Sequence, residues 1–139
     1  MRFLLDTNVV SEPTRPKADQ AVVAWLDDID EDEAFISVIT ITEIRFGIDR
    51  LAPGTRRKKF DRWLERDLSE RFAGRILPID VEVADVCGRV KARSEAAGRP
   101  MGDRDAYIAA TAQAHGMTLV TRNVRDFESV VSQIFTPWI

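Results

Sequence analysis

Apolar positions along this chain recur with two periods, one of strands and one of helices. Arg2–Leu5 carries three apolar residues in a row and stops at Asp6, which predicts a short buried strand. In Ala18–Asp30, Val22, Trp25, Leu26 and Ile29 fall at offsets of three, four and seven, the signature of a helix with one apolar face. Ala34–Ile39, rich in β-branched residues, predicts a second strand, and Thr40–Leu51 a helix that stops before the turn signal Pro53-Gly54. A longer helix is expected over Arg56–Phe72, with Phe60, Trp63, Leu64, Leu68 and Phe72 on one face, closed by Gly74. The third strand falls at Arg75–Ile79. A helix over Asp80–Ala97 ends at Gly98, and another over Asp103–His115 ends at Gly116. Met117–Thr121 predicts the fourth strand, Val124–Ser129 a short helical turn, and Gln133–Thr136 a short fifth strand.

Strands that alternate with helices predict βαβ units, hence a parallel sheet covered by helices on both faces. The 139 residues make one domain, 1–139, with no internal repeat or linker. In such a sheet, ligands bind outside the carboxyl ends of the strands. That rule singles out Asp6, after the first strand, and Thr121 to Asn123, after the fourth.

Composition narrows the class further. With 45% hydrophobic and 31% charged residues the chain is an ordinary globular one rather than a disordered one. The apolar run before Asp6 is too short for an export signal, and no stretch approaches the roughly 20 apolar residues of a membrane span. One cysteine, Cys87, rules out an intrachain disulfide, and a cytoplasmic setting is expected. The net charge of −3 lends no bulk attraction for nucleic acid, so any such binding depends on local basic patches and on a metal.

The candidate chemistry lies in three carboxylates. Asp6 follows a strand directly; Glu43 is expected in the first turn of the helix after the second strand; Asp105 lies in the first turn of Asp103–His115. All three then project from one edge of a parallel sheet. Carboxylates gathered there repel one another unless a cation compensates them. Hard divalent ions take such oxygen ligands, and a metal so held activates water and stabilises charge on a phosphodiester during in-line attack. One histidine and one cysteine leave little for a His-based or thiol-based mechanism. Each acid also has a plain structural role open to it. Asp6 can cap the turn after the strand, Glu43 can complete a Thr40-x-x-Glu43 capping box, and Asp103 and Asp105 can complement a helix start.

Four segments in order carry a family resemblance. They are Leu5-Asp6-Thr7-Asn8-Val9; Ser37-Val38-Ile39-Thr40 through Glu43-Ile44 to Gly47; Asp105-Ala106-Tyr107-Ile108-Ala109-Ala110-Thr111-Ala112; and Leu119-Val120-Thr121-Arg122-Asn123 through Asp126-Phe127. Over nearly the full chain this resembles the PIN-domain family, and within it the VapC-like toxin ribonucleases of type II toxin–antitoxin pairs. The resemblance implies a three-layer α/β/α sandwich with a short, mostly parallel central sheet. It implies an endoribonuclease that depends on Mg²⁺, with Mn²⁺ as a substitute. It also implies a cognate antitoxin that blocks the site, an RNA substrate and a homodimer. Asp6, Glu43 and Asp105 match the family's acidic positions, and Asp105 rather than Asp103 is in register with the motif. Where the family often places a fourth acid after the last long strand, this chain has Asn123, a neutral candidate ligand. Asp126 is the nearest acid downstream, and it is also placed to close an Asn123-x-x-Asp126 helix cap. Thr7, Asn8 and Thr121 are candidates to orient the acids, and equally to satisfy backbone groups at strand ends.

The remaining features are less specific. Arg56-Arg57-Lys58-Lys59 suits RNA phosphates or a solvated helix face; Arg104, Arg122 and Arg125, which flank the acids, are better placed for phosphate, with surface salt bridges as the alternative. Trp25, Trp63 and Phe60 fit a core or a partner-binding face better than base stacking. His115 suits a helix C-terminus. Two other classes remain open. A non-catalytic PIN-like module is favoured by Asn123 alone. An aspartate-based phosphatase would need an acid two residues after Asp6, where the chain has Asn8.

Overall fold

A computed structural model describes all 139 residues. Five short strands, β1 (Phe3–Leu5), β2 (Ala34–Ser37), β3 (Ile76–Leu77), β4 (Thr118–Val120) and β5 (Ile134–Phe135), form one sheet in the order β3-β2-β1-β4-β5. Every neighbouring pair is parallel, with Leu4 opposite both Phe35 and Leu119. The chain steps outward from β1 to β3 on one side, then returns to lay β4 and β5 on the other. The switch point therefore lies between β1 and β4, where such sheets open a crevice.

Alternation along the strands builds the layers. Leu5 and Val120 face one core, which α1 (Thr7–Ser11), α2 (Gln20–Asp28) and α3 (Val38–Asp49) supply with Val9, Val22, Leu26, Ile44 and Ile48. The same core takes Leu64, Leu68 and Phe72 from the helical stretch formed by α4 (Thr55–Arg62), a π-helical segment at Trp63–Leu68 and α5 (Ser69–Arg71). Leu4 and Leu119 face the opposite core, filled from α6 (Val81–Ala96), α7 (Asp103–Ala114) and α8 (Val124–Phe127) by Val90, Ile108, Ala109, Ala112 and Phe127. Successive side chains of a strand point to opposite faces, so adjacent leucines serve different cores. The three-layer α/β/α architecture is the one expected.

Local chemistry explains the element ends. Asp80 caps α6 by accepting the Val83 N–H at 2.9 Å. Gly116 takes φ +63°, which lets Met117 N–H reach back to Ala112 O at 2.9 Å and turns the chain from α7 directly into β4.

Some boundaries differ from the sequence reading. Strand two ends at Ser37, whose hydroxyl accepts the Ile39 N–H at 3.0 Å and caps α3. The Thr40-x-x-Glu43 capping box therefore does not exist. Thr40 is buried within the helix, and Glu43 sits in the second turn, not the first. Val38 and Ile39 read as strand by propensity, but a capped helix packed on the sheet overrides that weak preference. Helix α1, directly after β1, was not expected. The stretch expected over Arg56–Phe72 is helical but widens at Trp63–Leu68, and strand three is shorter than Arg75–Ile79.

Candidate active site at the carboxyl edge of the sheet

Asp6 leaves β1 with its N–H still donating to Val120 O at 2.9 Å, so β4 holds the residue in the ladder. Its backbone then turns into α1, and its side chain caps that helix by accepting the Thr7 N–H at 2.7 Å. The carboxylate is fully buried. Oδ2 accepts from Thr121 Oγ1 at 2.8 Å and from Asn8 Nδ2 at 3.5 Å; Oδ1, besides the Thr7 amide, accepts from Arg104 Nη2. A capping role and a place in a polar site therefore coexist in one residue.

Glu43 reaches the same point from α3, its Oε1 accepting from Thr7 Oγ1 at 2.6 Å. Thr7 Oγ1 also lies 3.2 Å from the buried Thr40 Oγ1. Asp105, in the first turn of α7, pairs through Oδ1 with Arg104 Nη1. Asp103 instead pairs with Lys91 of α6, away from this point. Three carboxylates from the sheet, the first helical layer and the second thus meet around one guanidinium.

Arg104 is the centre of the arrangement. Its Nε approaches Glu43 Oε2 to 2.8 Å but off the hydrogen-bond axis, so this buried N–H has no well-directed acceptor. Burial works against the charged guanidinium. Its close ion pair with Glu43, the charge of Asp6 and its bonding to Asp105 outweigh that, and its pKa lies above the ordinary arginine value. Formally, three carboxylates face one positive charge.

The second group of expected residues is assembled too. Thr7 bridges Asp6 and Glu43, while Thr121 and Asn8 hold Asp6 from the β4 side. Asn8 Oδ1 in turn accepts the Arg122 N–H at 3.2 Å. Asn123 joins through its backbone, donating to Thr121 Oγ1 at 3.1 Å; its side chain is exposed and caps nothing. The Asn123–Asp126 turn is closed by backbone alone, Asp126 N–H to Asn123 O at 3.0 Å. Asp126 lines a cleft with Asp105, Arg99 and Arg125.

Other candidates fall elsewhere. Trp25 packs edge-on to Phe3 against the core, and Arg122 lies over the Trp138 ring. Arg57 pairs with Asp49, whereas Arg56, Phe60 and Trp63 line a groove that shares Thr7 and Glu43 with the acids. His115 accepts from Arg2 through its carbonyl at the end of α7. Sequence reasoning placed Arg104 as a phosphate contact or a surface salt bridge. Its insertion among the acids was missed, although the alternation Asp103-Arg104-Asp105 was the available signal. Glu12 was missed as well: it is buried and accepts the Asp19 N–H at 2.9 Å, fastening the start of α2.

The donors fit a hard divalent cation in kind: carboxylate oxygens held by hydroxyls and amides, with more negative than positive charge. As they lie, no three of them converge on a common ion position; they converge on Arg104. The unsatisfied Nε marks the guanidinium as an imperfect occupant.

A model of the PIN domain matches residues 3–131. The chain is 39% identical over 136 residues to Toxin FitB of Neisseria gonorrhoeae, covering 98% of each. It is 38% identical over 136 residues to VapC ribonuclease Y4jK of Sinorhizobium fredii, covering 98% of this chain and 97% of that one. The crystal structure of FitAcB from Neisseria gonorrhoeae contains a chain that superposes with a TM-score of 0.93 at 39% identity, covering 98% of each.

Proposed function

The chain belongs to the PIN-domain family, and from that premise we propose that it is the endoribonuclease toxin of a toxin–antitoxin pair, working through Mg²⁺ or Mn²⁺ held by Asp6, Glu43 and Asp105. Its substrate is RNA, and its protein partner is an antitoxin that blocks the site. The names of its relatives, a toxin and a ribonuclease matched over almost the whole chain, support both. No helix is long and apolar enough to cross a membrane. The toxin acts in the cytoplasm as a homodimer, a setting that suits its free, buried Cys87.

One observation carries the assignment of the site. Asp6, Glu43 and Asp105 come from three separate elements to one guanidinium, that of Arg104, at the switch of the parallel sheet. Asp6, Glu43 and Asp105 would hold the divalent ion, which would supply an activated water and stabilise charge on the phosphodiester. Asp6 anchors the site, because its burial and its bonds to Thr7, Thr121 and Asn8 leave it one orientation. Thr7 fixes Glu43 relative to Asp6. Glu43 and Asp105, each about a third exposed, are open to a substrate from solvent. Asn123 contributes a neutral amide at most, so the three acids would hold one ion, and a second would require the substrate's phosphate. A phosphatase reading gains nothing here: the Asp6 carboxylate is enclosed and fully bonded, not presented as a nucleophile.

The test uses purified chain freed of antitoxin, incubated with structured RNA in Mg²⁺, in Mn²⁺ and in chelator. Cleavage that requires metal and disappears in Asp6→Asn, with the thermal transition retained, is the expected result. Folded protein that cuts no RNA under any of these conditions overturns the proposal and leaves a non-catalytic PIN-like module.

A further inference from the structure

We propose that Arg104 serves the reaction from two positions: inside the acid cluster as the cation of the metal-free protein, and outside it, beside Arg99 and Arg125, as a contact for RNA phosphate once the metal has taken its place. This rests on the metal-dependent reading above.

Three features carry it. The guanidinium spans the point where the three acids meet, reaching Asp6, Glu43 and Asp105 with three different nitrogens. A divalent ion cannot be shared by the three acids while that group lies among them, so metal entry and Arg104 departure are one exchange. The occupancy is imperfect. One positive charge faces three carboxylates, and the buried Nε lacks an aligned acceptor, so a doubly charged ion compensates the cluster better. The exit is open as well. The Arg104 side chain is 33% exposed, whereas Ala106, Ile108, Ala109 and Ala110 of the same helix are wholly buried. The backbone of α7 therefore stays in place, and the exchange is a rotation of one side chain.

The second position follows from the surroundings of Asp105. Arg99 and Arg125 line the cleft that contains it. A guanidinium released beside them would set three arginines around two acids, Asp105 and Asp126, and leave the cleft net positive. Guanidinium binds phosphate with the same paired N–H geometry it uses toward carboxylate. The positive charge that shields the acids from one another in the metal-free protein then neutralises the RNA backbone where it is cut.

The experiment compares wild type, Arg104→Gln and Arg104→Lys by calorimetric titration with Mn²⁺, by thermal unfolding with and without the ion, and by RNA cleavage in saturating Mg²⁺ over a range of salt. Removing the resident charge should tighten Mn²⁺ binding by about tenfold or more, since the competent state is no longer a minor one. Arg104→Lys should stay near wild type. In metal-free buffer Arg104→Gln should melt earlier than wild type, and the ion should raise its transition further. With metal saturating, Arg104→Gln should raise KM for RNA more than it lowers kcat, and its salt slope should fall by about one phosphate contact. Equal Mn²⁺ affinity in wild type and Arg104→Gln overturns the inner role while leaving the metal site standing. Unchanged KM and salt slope overturn the outer role. Absence of Mn²⁺ binding in all three proteins overturns the metal site itself, and this inference with it.

Discussion

The two helical layers cover the same sheet in opposite ways. On one face α7 lies against the strands through the fully buried Ala109 and Ala112, so helix and sheet approach closely, while Ala106 and Ala110, equally buried, pack against Val83 and Cys87 of α6. On the other, α3 to α5 reach the sheet with large side chains, among them Leu64, Leu68 and Phe72, and the helix widens at Trp63–Leu68. Beside that wide segment runs the groove lined by Gly47, Arg56, Phe60 and Trp63, which opens onto Glu43. The tight layer fixes the helix backbone that carries Arg104 and Asp105. The loose layer offers Glu43 together with a surface that a partner can enter. Rigid support and an open groove are here divided between two kinds of packing.

That contrast can be broken at several points. Phe72→Ala removes the largest fully buried side chain of the loose layer and should cost about 3–5 kcal/mol in denaturant unfolding. A cost well below that would mean the layer collapses onto the gap and is more plastic than its packing indicates. In the tight layer Ala109→Leu adds volume where none is free and should cost about 1–3 kcal/mol. Because α7 must lift, Mn²⁺ affinity should fall with stability; a loss of stability with unaltered affinity would separate Asp105 placement from the packing of its helix. Thr7→Val keeps the shape but removes the hydroxyl that joins Glu43 to Asp6, and should weaken metal binding by about 10–100-fold in the same titration. The smallest effect tests the groove. A Cβ at Gly47 meets nothing within 4 Å, so Gly47→Ala should stabilise α3 by about 0.5–1 kcal/mol. A destabilised Gly47→Ala protein would show the groove to be closer-packed than the loose layer implies.

The sequence reading was good where one local rule and the tertiary environment agreed. Asp103–His115 was expected within a residue of its observed bounds, because an alanine-rich run between an acidic start and Gly116 favours a helix in any setting. Even the two-residue β5 fell within the stretch expected for it. The reading faltered where two local signals competed. Ser37 and Thr40 both offer a helix cap, and a β-branched run lies between them; burial of Thr40 beside Thr7 favours Ser37. Helix α1 is only five residues long and carries no periodicity that a scan can detect; Asp6 caps it through a bond that forms only where β1 ends.

The sequence by itself determined the alternation of strands and helices, hence a parallel sheet with two cores, and the placement of Asp6, Glu43 and Asp105 at its carboxyl edge. Those features are set by near-neighbour spacing, since a period of two or of 3.6 is written into consecutive positions. Only the tertiary structure decided what the acids do with one another. Asp6 and Arg104 are bonded across 98 positions of chain, and Thr121 reaches Asp6 across 115. No local pattern encodes whether Arg104 turns inward to three carboxylates or outward to solvent. That choice depends on charges brought within a few ångströms by the fold, where low exposure makes each of them count for more than it would in water.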